Sequence, residues 1–365
     1  MIEPIFNKYK TKFTVLDKLQ PINPKADRVV VYINLETVLE SLCKPFVNKF
    51  AMTQMSSDEV RLCLVSNIIN LAQHYRLYFR KMGKENETIL FWNFPIKETQ
   101  YYNSKYIVNY RNNYYDKFYK EDNASFMADL LQNVYDILMI LLPYINEVYM
   151  VSSDKIESSL LPYIVYKNKY DSHHIQNIIV SKDIYDLQYI QYGMSVLVPR
   201  SDDSLLITET NVMEHLKKVH NIKSKLNAPV SQLSFIISLL GSKYRNIGKI
   251  PGMGLGLILQ TLNDALDSIS ITENTQNIDN LVNIIKPEYG SIFHANYHCT
   301  DLGYQYRDIK PIDIHTVLES FTDKYDDNAV LYMNERYFEK YPLMLVSMKR
   351  EQVLSNDNRK GTAIH

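Results

Sequence analysis

Cysteine, glycine and net charge are all in short supply in this sequence of 365 residues. Its three cysteines (Cys43, Cys63 and Cys299) lie too far apart along the chain for a disulfide framework or a zinc ribbon. A formal net charge of -1 excludes a general basic field, so any nucleic-acid-binding surface must be local. No apolar run approaches the roughly 18 residues of a membrane-spanning helix. We therefore expect a cytoplasmic globular protein with no membrane partner.

Sequence motifs of several large enzyme classes are also missing. The chain has no G-x-x-x-x-G-K-[ST] loop, no G-x-G-x-x-G loop and no G-x-S-x-G elbow. NTPases, dinucleotide-dependent oxidoreductases and α/β-hydrolases therefore lack support. Tyrosine, by contrast, is abundant at 29 residues. Together with frequent asparagine, isoleucine and lysine, this is typical of AT-rich genomes such as those of phages and other viruses. A viral protein of this kind would act in the host cytoplasm or the virion.

Short β-branched or aromatic runs alternate with longer amphipathic segments over much of the chain. Such alternation predicts an α/β fold with a mainly parallel, doubly wound sheet. The expected strands are Val29–Ile33, Thr88–Trp92, Glu147–Val151, Asn177–Val180 and Ser195–Val198. The expected helices are Ser56–Met82, Ala124–Leu142, Ser158–Lys167, Val212–Leu226, Ser231–Leu240 and Leu255–Ile269.

The pattern changes after Pro199, where lysine-rich helical sequence replaces the strand–helix alternation. We therefore expect an α/β domain over residues 25–210 and a helical subdomain over residues 211–305. Residues 1–24 lack an apolar core of their own and are expected to form an N-terminal arm, and residues 306–365 a C-terminal extension.

A glycine-rich turn joins two of the predicted helices, within the segment LLGSKYRNIGKIPGMGLGLIL at residues 239–259. We call residues 251–254 (Pro-Gly-Met-Gly) the glycine hairpin. Its bare backbone N–H groups precede a helix, and the N-terminal end of a helix attracts phosphate. A plain turn between packed helices has the same sequence pattern, and a solvated helix face has the same charges. The flanking basic residues are Lys217, Lys218, Lys223, Lys225, Lys243, Arg245 and Lys249.

The same segment resembles the helix–three-turn–helix element of the 5′-nuclease (flap endonuclease-like, PIN-like) family. The usual family pattern there is LxGDxxDNIPGVPGIGxKTA. The residues at matching offsets are Gly241, Asn246, Ile247, Pro251, Gly252 and Gly254. Ser242 and Arg245 stand at the two acidic positions, and Gly256 and Leu257 replace the usual Lys or Thr. The resemblance covers roughly residues 29–304 and implies a PIN-like α/β domain followed by a helix–hairpin–helix subdomain.

Members of this family hydrolyse phosphodiesters with two divalent ions, which need several carboxylates around one pocket. Most of the acidic positions are replaced in this chain. Asn34 stands at the end of the first strand, Asn93 at the second, and Ser158 and Ser159 after the third. In the segment 181–188 (SKDIYDLQ) Asp183 is retained and Tyr185 replaces the second aspartate. The vestigial site therefore comprises Asn34, Asn93, Ser158, Ser159, Asp183, Tyr185, Ser242 and Arg245.

Asp183 has two interpretations: a ligand of one weakly held Mg²⁺, or the cap of the helix that begins near Ser181. Tyr185, Asn34 and Asn93 are expected to form a neutral hydrogen-bonded cluster that needs no metal. Four further acids lie near the family positions in sequence and could partly substitute for the missing ones. They are Glu36, Asp154, Glu157 and Asp186.

The tyrosine-rich segment 101–120 (YYNSKYIVNYRNNYYDKFYK) occupies the place of the family's arch, through which a single strand passes. Its tyrosines can stack on bases while Lys105, Arg111, Lys117 and Lys120 track phosphates. A packed surface helix or a protein-binding face fits the segment equally well. The candidate nucleic-acid contacts are Lys105, Arg111, Lys117, Lys243, Lys249, Gly252, Gly254 and Gly256.

These observations favour a catalytically depleted 5′-nuclease-like protein rather than an enzyme. It would bind branched or single-stranded DNA, or a replication or virion assembly, without a cofactor. One alternative is a divergent 5′–3′ exonuclease or flap endonuclease that uses Mg²⁺ or Mn²⁺ and relocated acids. A second alternative is a structural or interaction protein that binds no nucleic acid. The oligomeric state is left open.

Overall fold

The structure is a computed structural model of the chain. It describes residues 25–35, 38, 57–92, 124–145, 147–153, 155–199, 204–242, 245–268, 285 and 287–321. The expected N-terminal arm (residues 1–24) and the end of the expected C-terminal extension (residues 322–365) lie outside these ranges.

A six-stranded sheet forms the centre of the fold, in the order β3-β2-β1-β4-β5-β6. The strands are β1 (Arg28–Asn34), β2 (Glu85–Phe91), β3 (Val148–Val151), β4 (Ile175–Val180), β5 (Ser195–Val198) and β6 (Leu205–Ile207). Strands β1 to β5 pair in parallel, and β6 pairs antiparallel with β5 at the edge. The prediction of a mainly parallel α/β sheet is confirmed.

Helices cover both faces of this sheet. They are α1 (Ser57–Lys81), α2 (Ala124–Leu141), α3 (Leu161–Val165), α4 (Val212–Val219), α5 (Leu233–Leu240), α6 (Leu255–Ser268), α7 (Gly290–Thr300), α8 (Leu302–Asp308) and α9 (Pro311–Glu319). A π-helical turn over Tyr166–Tyr170 continues α3, and a 3₁₀ helix over Ile184–Tyr192 follows β4. Shorter 3₁₀ turns lie at Leu142–Tyr144, Val230–Gln232 and Pro287–Tyr289.

The central strand β1 shows why the sheet is buried on both sides. Val29, Val31 and Ile33 face a cluster built with α1 and α2, whereas Val30 and Tyr32 face the cluster that includes α3 and α5 to α9. Because both faces are covered, the strand reads as a continuous β-branched run instead of an alternating one. The second cluster runs without interruption from the sheet into the C-terminal helices.

The elements that differ from the sequence expectations include β6, α4 and α3. The three-residue strand β6 was not predicted, and it extends the sheet through pairing with β5. The helix expected over Val212–Leu226 ends at Val219, because Asn221 adopts a left-handed backbone conformation with φ 55°. The helix expected from Ser158 begins only at Leu161, with a proline in its first turn, a position that favours helix initiation.

The strand order reverses around β1. The chain leaves β1 for β2 on one side and later returns on the other side as β4. In doubly wound sheets ligands bind at the carboxyl ends of the strands beside such a reversal. Asn34 ends β1, and the segment that contains Asp183 and Asp186 follows β4, so both lie at this end of the sheet. Within the described ranges, no helix is both long and apolar enough to cross a membrane.

Candidate functional site: a buried arginine among three carboxylates

The side chain of Arg245 is fully buried and makes ion pairs with three carboxylates. Nη1 donates a hydrogen bond to Oε1 of Glu157, and Nε donates to Oδ2 of Asp183 over 3.2 Å. Nη2 lies 3.4 Å from Oδ1 of Asp186. The side-chain exposures are 0% for the arginine and 2%, 9% and 3% for the three acids in the same order. We call these four residues the arginine cluster.

The three acids reach the cluster from the carboxyl ends of two strands. Glu157 lies in the turn between β3 and α3, where its carbonyl accepts hydrogen bonds from the N–H groups of Leu160 and Leu161. Asp183 is the N-cap of the 3₁₀ helix after β4, and its Oδ1 accepts from the N–H of Tyr185 over 3.0 Å. Asp183 therefore does act as a helix cap, while its other oxygen faces the guanidinium of Arg245.

A tight turn after α5 delivers Arg245 into this pocket. Ser242 and Ile247 exchange backbone hydrogen bonds of 2.9 Å and close the turn. Gly241 precedes it with φ 70°, and a Cβ there would come within 2.5 Å of the carbonyl oxygen of Ile247. Asn246 supplies a second left-handed residue with φ 56°. Gly241 and Asn246, which match the family pattern, therefore allow the backbone conformation that directs the side chain of Arg245 into the interior.

Burial dominates the electrostatics of the cluster. Desolvation raises the pKa of the Asp186 carboxyl to about 6, although the Arg245 guanidinium and a 2.5 Å hydrogen bond from Ser181 Oγ oppose this rise. The guanidinium carbon also lies 3.7 Å from the ring centroid of Tyr185, which adds a cation–π contact. Three ionised carboxylates and one guanidinium leave a formal charge of -2 in the cluster.

The expectation that Tyr185 joins Asn34 and Asn93 in a neutral hydrogen-bonded cluster is wrong. The Tyr185 hydroxyl donates to the carbonyl of Cys299 over 2.9 Å and accepts from Gln305, so it faces away from the strand ends. Asn34 instead donates to Ser158 Oγ over 3.2 Å, and both side chains are buried. The strand ends therefore hold a neutral Asn–Ser pair beside a charged arginine cluster.

The remaining vestigial positions have structural partners. Ser242 Oγ accepts from the backbone N–H of Arg245 over 3.3 Å. At Ser159 only the backbone carbonyl is paired, with the hydroxyl of Tyr189, and the buried side-chain hydroxyl has no hydrogen-bond partner among the described residues. Two of the four possible substitute acids, Glu157 and Asp186, do converge with Asp183, but they converge around Arg245. The candidates outside the described residues are Glu36, Asn93, Lys105, Arg111, Lys117, Lys120, Asp154 and Lys243.

The donor set does not fit the pair of divalent ions that the family resemblance implies. Two-metal hydrolysis requires carboxylates that face a shared open space. Here the three acids face the guanidinium of Arg245, and Asn34 and Ser158 beside them are neutral. Across the described part of the chain, no group of three or more His, Cys, Asp or Glu side chains is arranged to hold a metal ion.

The glycine hairpin presents open backbone at the start of α6. Pro251 and Gly252 are exposed, and Gly252 has φ 77°. A Cβ built on Gly252 or Gly254 would meet no atom within 4 Å, whereas one on Gly256 would meet Ile222 Cδ1 at 3.8 Å. Neither packing nor a positive φ therefore requires glycine at position 254. The exposed Lys249 lies two residues before the hairpin, and phosphate binding at this surface stays a prediction.

The similarity of this chain to known proteins is found in its structure and not in its sequence. No protein-family model matches the sequence, and no curated protein matches it. A bacteriophage T5 protein co-crystallised with metal ions superposes with a TM-score of 0.50 at 15% identity, covering 80% of this chain and 99% of that one. A pseudo-enzyme variant of the bacteriophage T5 flap endonuclease, in a product complex with DNA and metal ions, gives 0.50 at 14% identity, covering 81% and 100%. This chain therefore has the PIN-like fold of the 5′ nucleases.

Proposed function

We propose that this protein is a catalytically depleted member of the 5′-nuclease fold that binds branched or single-stranded DNA without cleaving it. The observation that carries the proposal is the position of Arg245. Its buried guanidinium stands among the acids that follow β3 and β4, at the end of the sheet where doubly wound folds bind their ligands. The proposal has two parts, loss of hydrolysis and retention of binding, and each has its own support.

Charge supports the loss of hydrolysis. Two divalent ions repel each other and need several carboxylates to hold them together. In this pocket three acids already share one permanent cation, and Asn34 and Ser158 contribute no charge. The guanidinium cancels one of the three carboxylate charges and occupies the space that they face, so a formal charge of only -2 would remain to hold two divalent ions. We therefore expect no catalytic metal pair while Arg245 stays buried.

The glycine hairpin supports the retention of binding. The first N–H groups of α6 have no partner within the helix, and the flanking glycines Gly252 and Gly254 leave space around the backbone. Such a surface accepts phosphate, and Lys249 adds an exposed positive charge beside it. The T5 pseudo-enzyme forms a product complex with DNA and metal ions, which is a precedent for DNA binding by a pseudo-enzyme of this fold.

An active metal-dependent nuclease is the second candidate, and one observation favours it. Glu157, Asp183 and Asp186 converge with a formal charge of -2 even after pairing with Arg245. If Arg245 left the pocket when DNA bound, these acids could hold Mg²⁺ or Mn²⁺. The third candidate, an assembly protein that binds no nucleic acid, differs from both in its lack of affinity for DNA.

Cleavage and binding of 5′-flap, forked and single-stranded DNA distinguish the three candidates. We expect no cleavage with Mg²⁺ or Mn²⁺, and binding in EDTA that weakens steeply as salt increases. Lys249→Glu combined with Gly254→Val should weaken binding and lower the salt dependence by about one released counterion per lost phosphate contact. Lys310→Glu, an equal charge change at an exposed site outside the hairpin, is the matched control.

Three results would contradict these expectations. Robust 5′ cleavage that Asp183→Ala abolishes would establish the active nuclease and end the depleted-enzyme proposal. Absence of binding to all three DNA forms at low salt would favour the assembly protein. Equal losses of affinity in the hairpin variant and in Lys310→Glu would remove the hairpin from the binding site.

A further inference from the structure

The arginine cluster links three separate segments of the chain. Glu157 follows β3, Asp183 and Asp186 follow β4, and Arg245 comes from the turn after α5. Each nitrogen of the guanidinium faces a different carboxylate. A divalent cation bound by acids from several strand ends would join the same segments, so the arginine stands where such an ion would act as a cross-link.

We infer that Arg245 is a built-in counterion in the place of a divalent cation, and that removing its side chain turns the pocket into a cation-binding site. This inference rests on the proposed function, because it assumes that the pocket holds no metal while Arg245 is present. It adds a cause to that proposal: one side chain both stabilises the acids and keeps metal ions out.

Burial makes a cation among these acids necessary. The three carboxylates are at most 9% exposed, so water cannot compensate their charges. Like charges held this close in a buried site are costly unless a cation lies between them. Arginine is suited to the role because its guanidinium stays protonated at any physiological pH and offers several N–H donors in one plane. The cation–π contact with Tyr185 holds that plane in place.

A tethered cation differs from a bound metal ion in one testable way. Because Arg245 is part of the chain, charge compensation in the wild-type protein does not depend on free ion concentration or on chelators. Loss of the side chain leaves three carboxylates around a space of guanidinium size. Mg²⁺ takes oxygen ligands at about 2.0–2.1 Å and Ca²⁺ at about 2.3–2.6 Å with looser geometry, so modest closure of these acids would suffice.

Thermal unfolding of the full chain without DNA tests the inference. Wild-type protein, Arg245→Ala and Arg76→Ala are compared in EDTA, in millimolar Mg²⁺ and in millimolar Ca²⁺. The matched control removes another buried arginine, whose ion-pair partner Glu147 is 48% exposed. We expect no cation effect on wild-type protein or Arg76→Ala. For Arg245→Ala the unfolding temperature should fall in EDTA and rise by about 5 °C or more when the cation is well above its Kd.

Either of two results would overturn the inference. In the first, Arg245→Ala is destabilised but neither cation raises its unfolding temperature above that in EDTA. In the second, wild-type protein is stabilised by Mg²⁺ or Ca²⁺ and Asp183→Asn abolishes the effect, which would show that metal binds with Arg245 in place. If Arg245→Ala does not fold in EDTA, Arg245→Gln takes its place, and refolding of both variants is followed by circular dichroism. Native signal that appears only with cation supports the inference, and its absence for both variants with cation contradicts it.

Failure of this inference is distinguishable from failure of the proposed function. The unfolding measurements contain no DNA, whereas the proposed function is tested by cleavage and binding of DNA. Flap cleavage by wild-type protein would refute the proposed function directly. Lack of cation rescue in Arg245→Ala would leave non-cleavage and DNA binding intact and remove only the counterion role.

Discussion

Replacing Arg245 with methionine should destabilise the protein most at neutral pH and much less in mild acid. Methionine keeps much of the side-chain bulk but removes the charge, so Glu157, Asp183 and Asp186 would face one another without the guanidinium. Breaking a buried ion pair by removing one partner costs about 3–5 kcal/mol. Since a typical domain is stable by about 5–15 kcal/mol, this loss would be a large fraction of the total.

The pH dependence follows from linkage between protonation and folding. The folded-state pKa of Asp186 is about 6, raised by burial above its ordinary value of 3.8. Between these two values the folded chain binds more protons than the unfolded chain, so this group's contribution to stability falls as pH rises through that window. Without Arg245 the pKa of Asp186 rises further. The cost of Arg245→Met should therefore be greatest near neutral pH and shrink toward about pH 5.

Urea unfolding followed by fluorescence measures this cost, because the chain has one tryptophan, Trp92, and it is buried. Arg76→Met serves as the control, since its partner Glu147 is 48% exposed and can be solvated when the arginine is lost. We expect the control to cost less and to show little change over the same pH range. A cost for Arg245→Met that stays constant from about pH 8 to about pH 5 would refute the reasoning.

Three further variants test separate contacts. Tyr185→Phe removes the hydroxyl that donates to Cys299 and should lower the unfolding free energy by about 1 kcal/mol in urea titrations, while the ring stays beneath the guanidinium. Gly241→Ala should destabilise the chain by more than about 1 kcal/mol, because φ is 70° and the new Cβ meets backbone atoms; an unchanged urea midpoint would contradict this. Gly254→Ala should leave the unfolding free energy within about 0.5 kcal/mol yet reduce affinity for flap DNA in anisotropy titrations, since its Cβ points into open space on the hairpin.

The strands of the sheet can be predicted from sequence because they are buried on both faces. A fully covered parallel strand such as β1 appears as an unbroken run of β-branched residues. Strand order is not encoded in such runs, and it is this order that brings β1 and β4 side by side. The edge strand β6 escaped prediction since three residues are too few to show a period.

The sequence predicts only part of the arginine cluster. The family pattern marks Arg245 as a position that lacks an acid, but it does not predict the ion pairs of the guanidinium. Its three ion pairs join residues 88, 62 and 59 positions apart, and such pairs depend on topology instead of local pattern. The sequence does contain one indication of this cluster. A basic residue at a position where the family has an acidic metal ligand, with acids retained at other ligand positions, predicts an internal ion pair. That rule would have linked Arg245 to Asp183.

The neutral pair of Asn34 and Ser158 is best understood together with Arg245. A single guanidinium can face only a limited number of carboxylates, and in this pocket each of its nitrogens already faces one. Additional aspartates at the ends of β1 and β3 would be buried beside the cluster without a cation to compensate them. An amide and a hydroxyl satisfy each other there by a hydrogen bond and add no charge. The neutral pair of Asn34 and Ser158 therefore limits the buried carboxylates at these strand ends to the three that the guanidinium of Arg245 contacts.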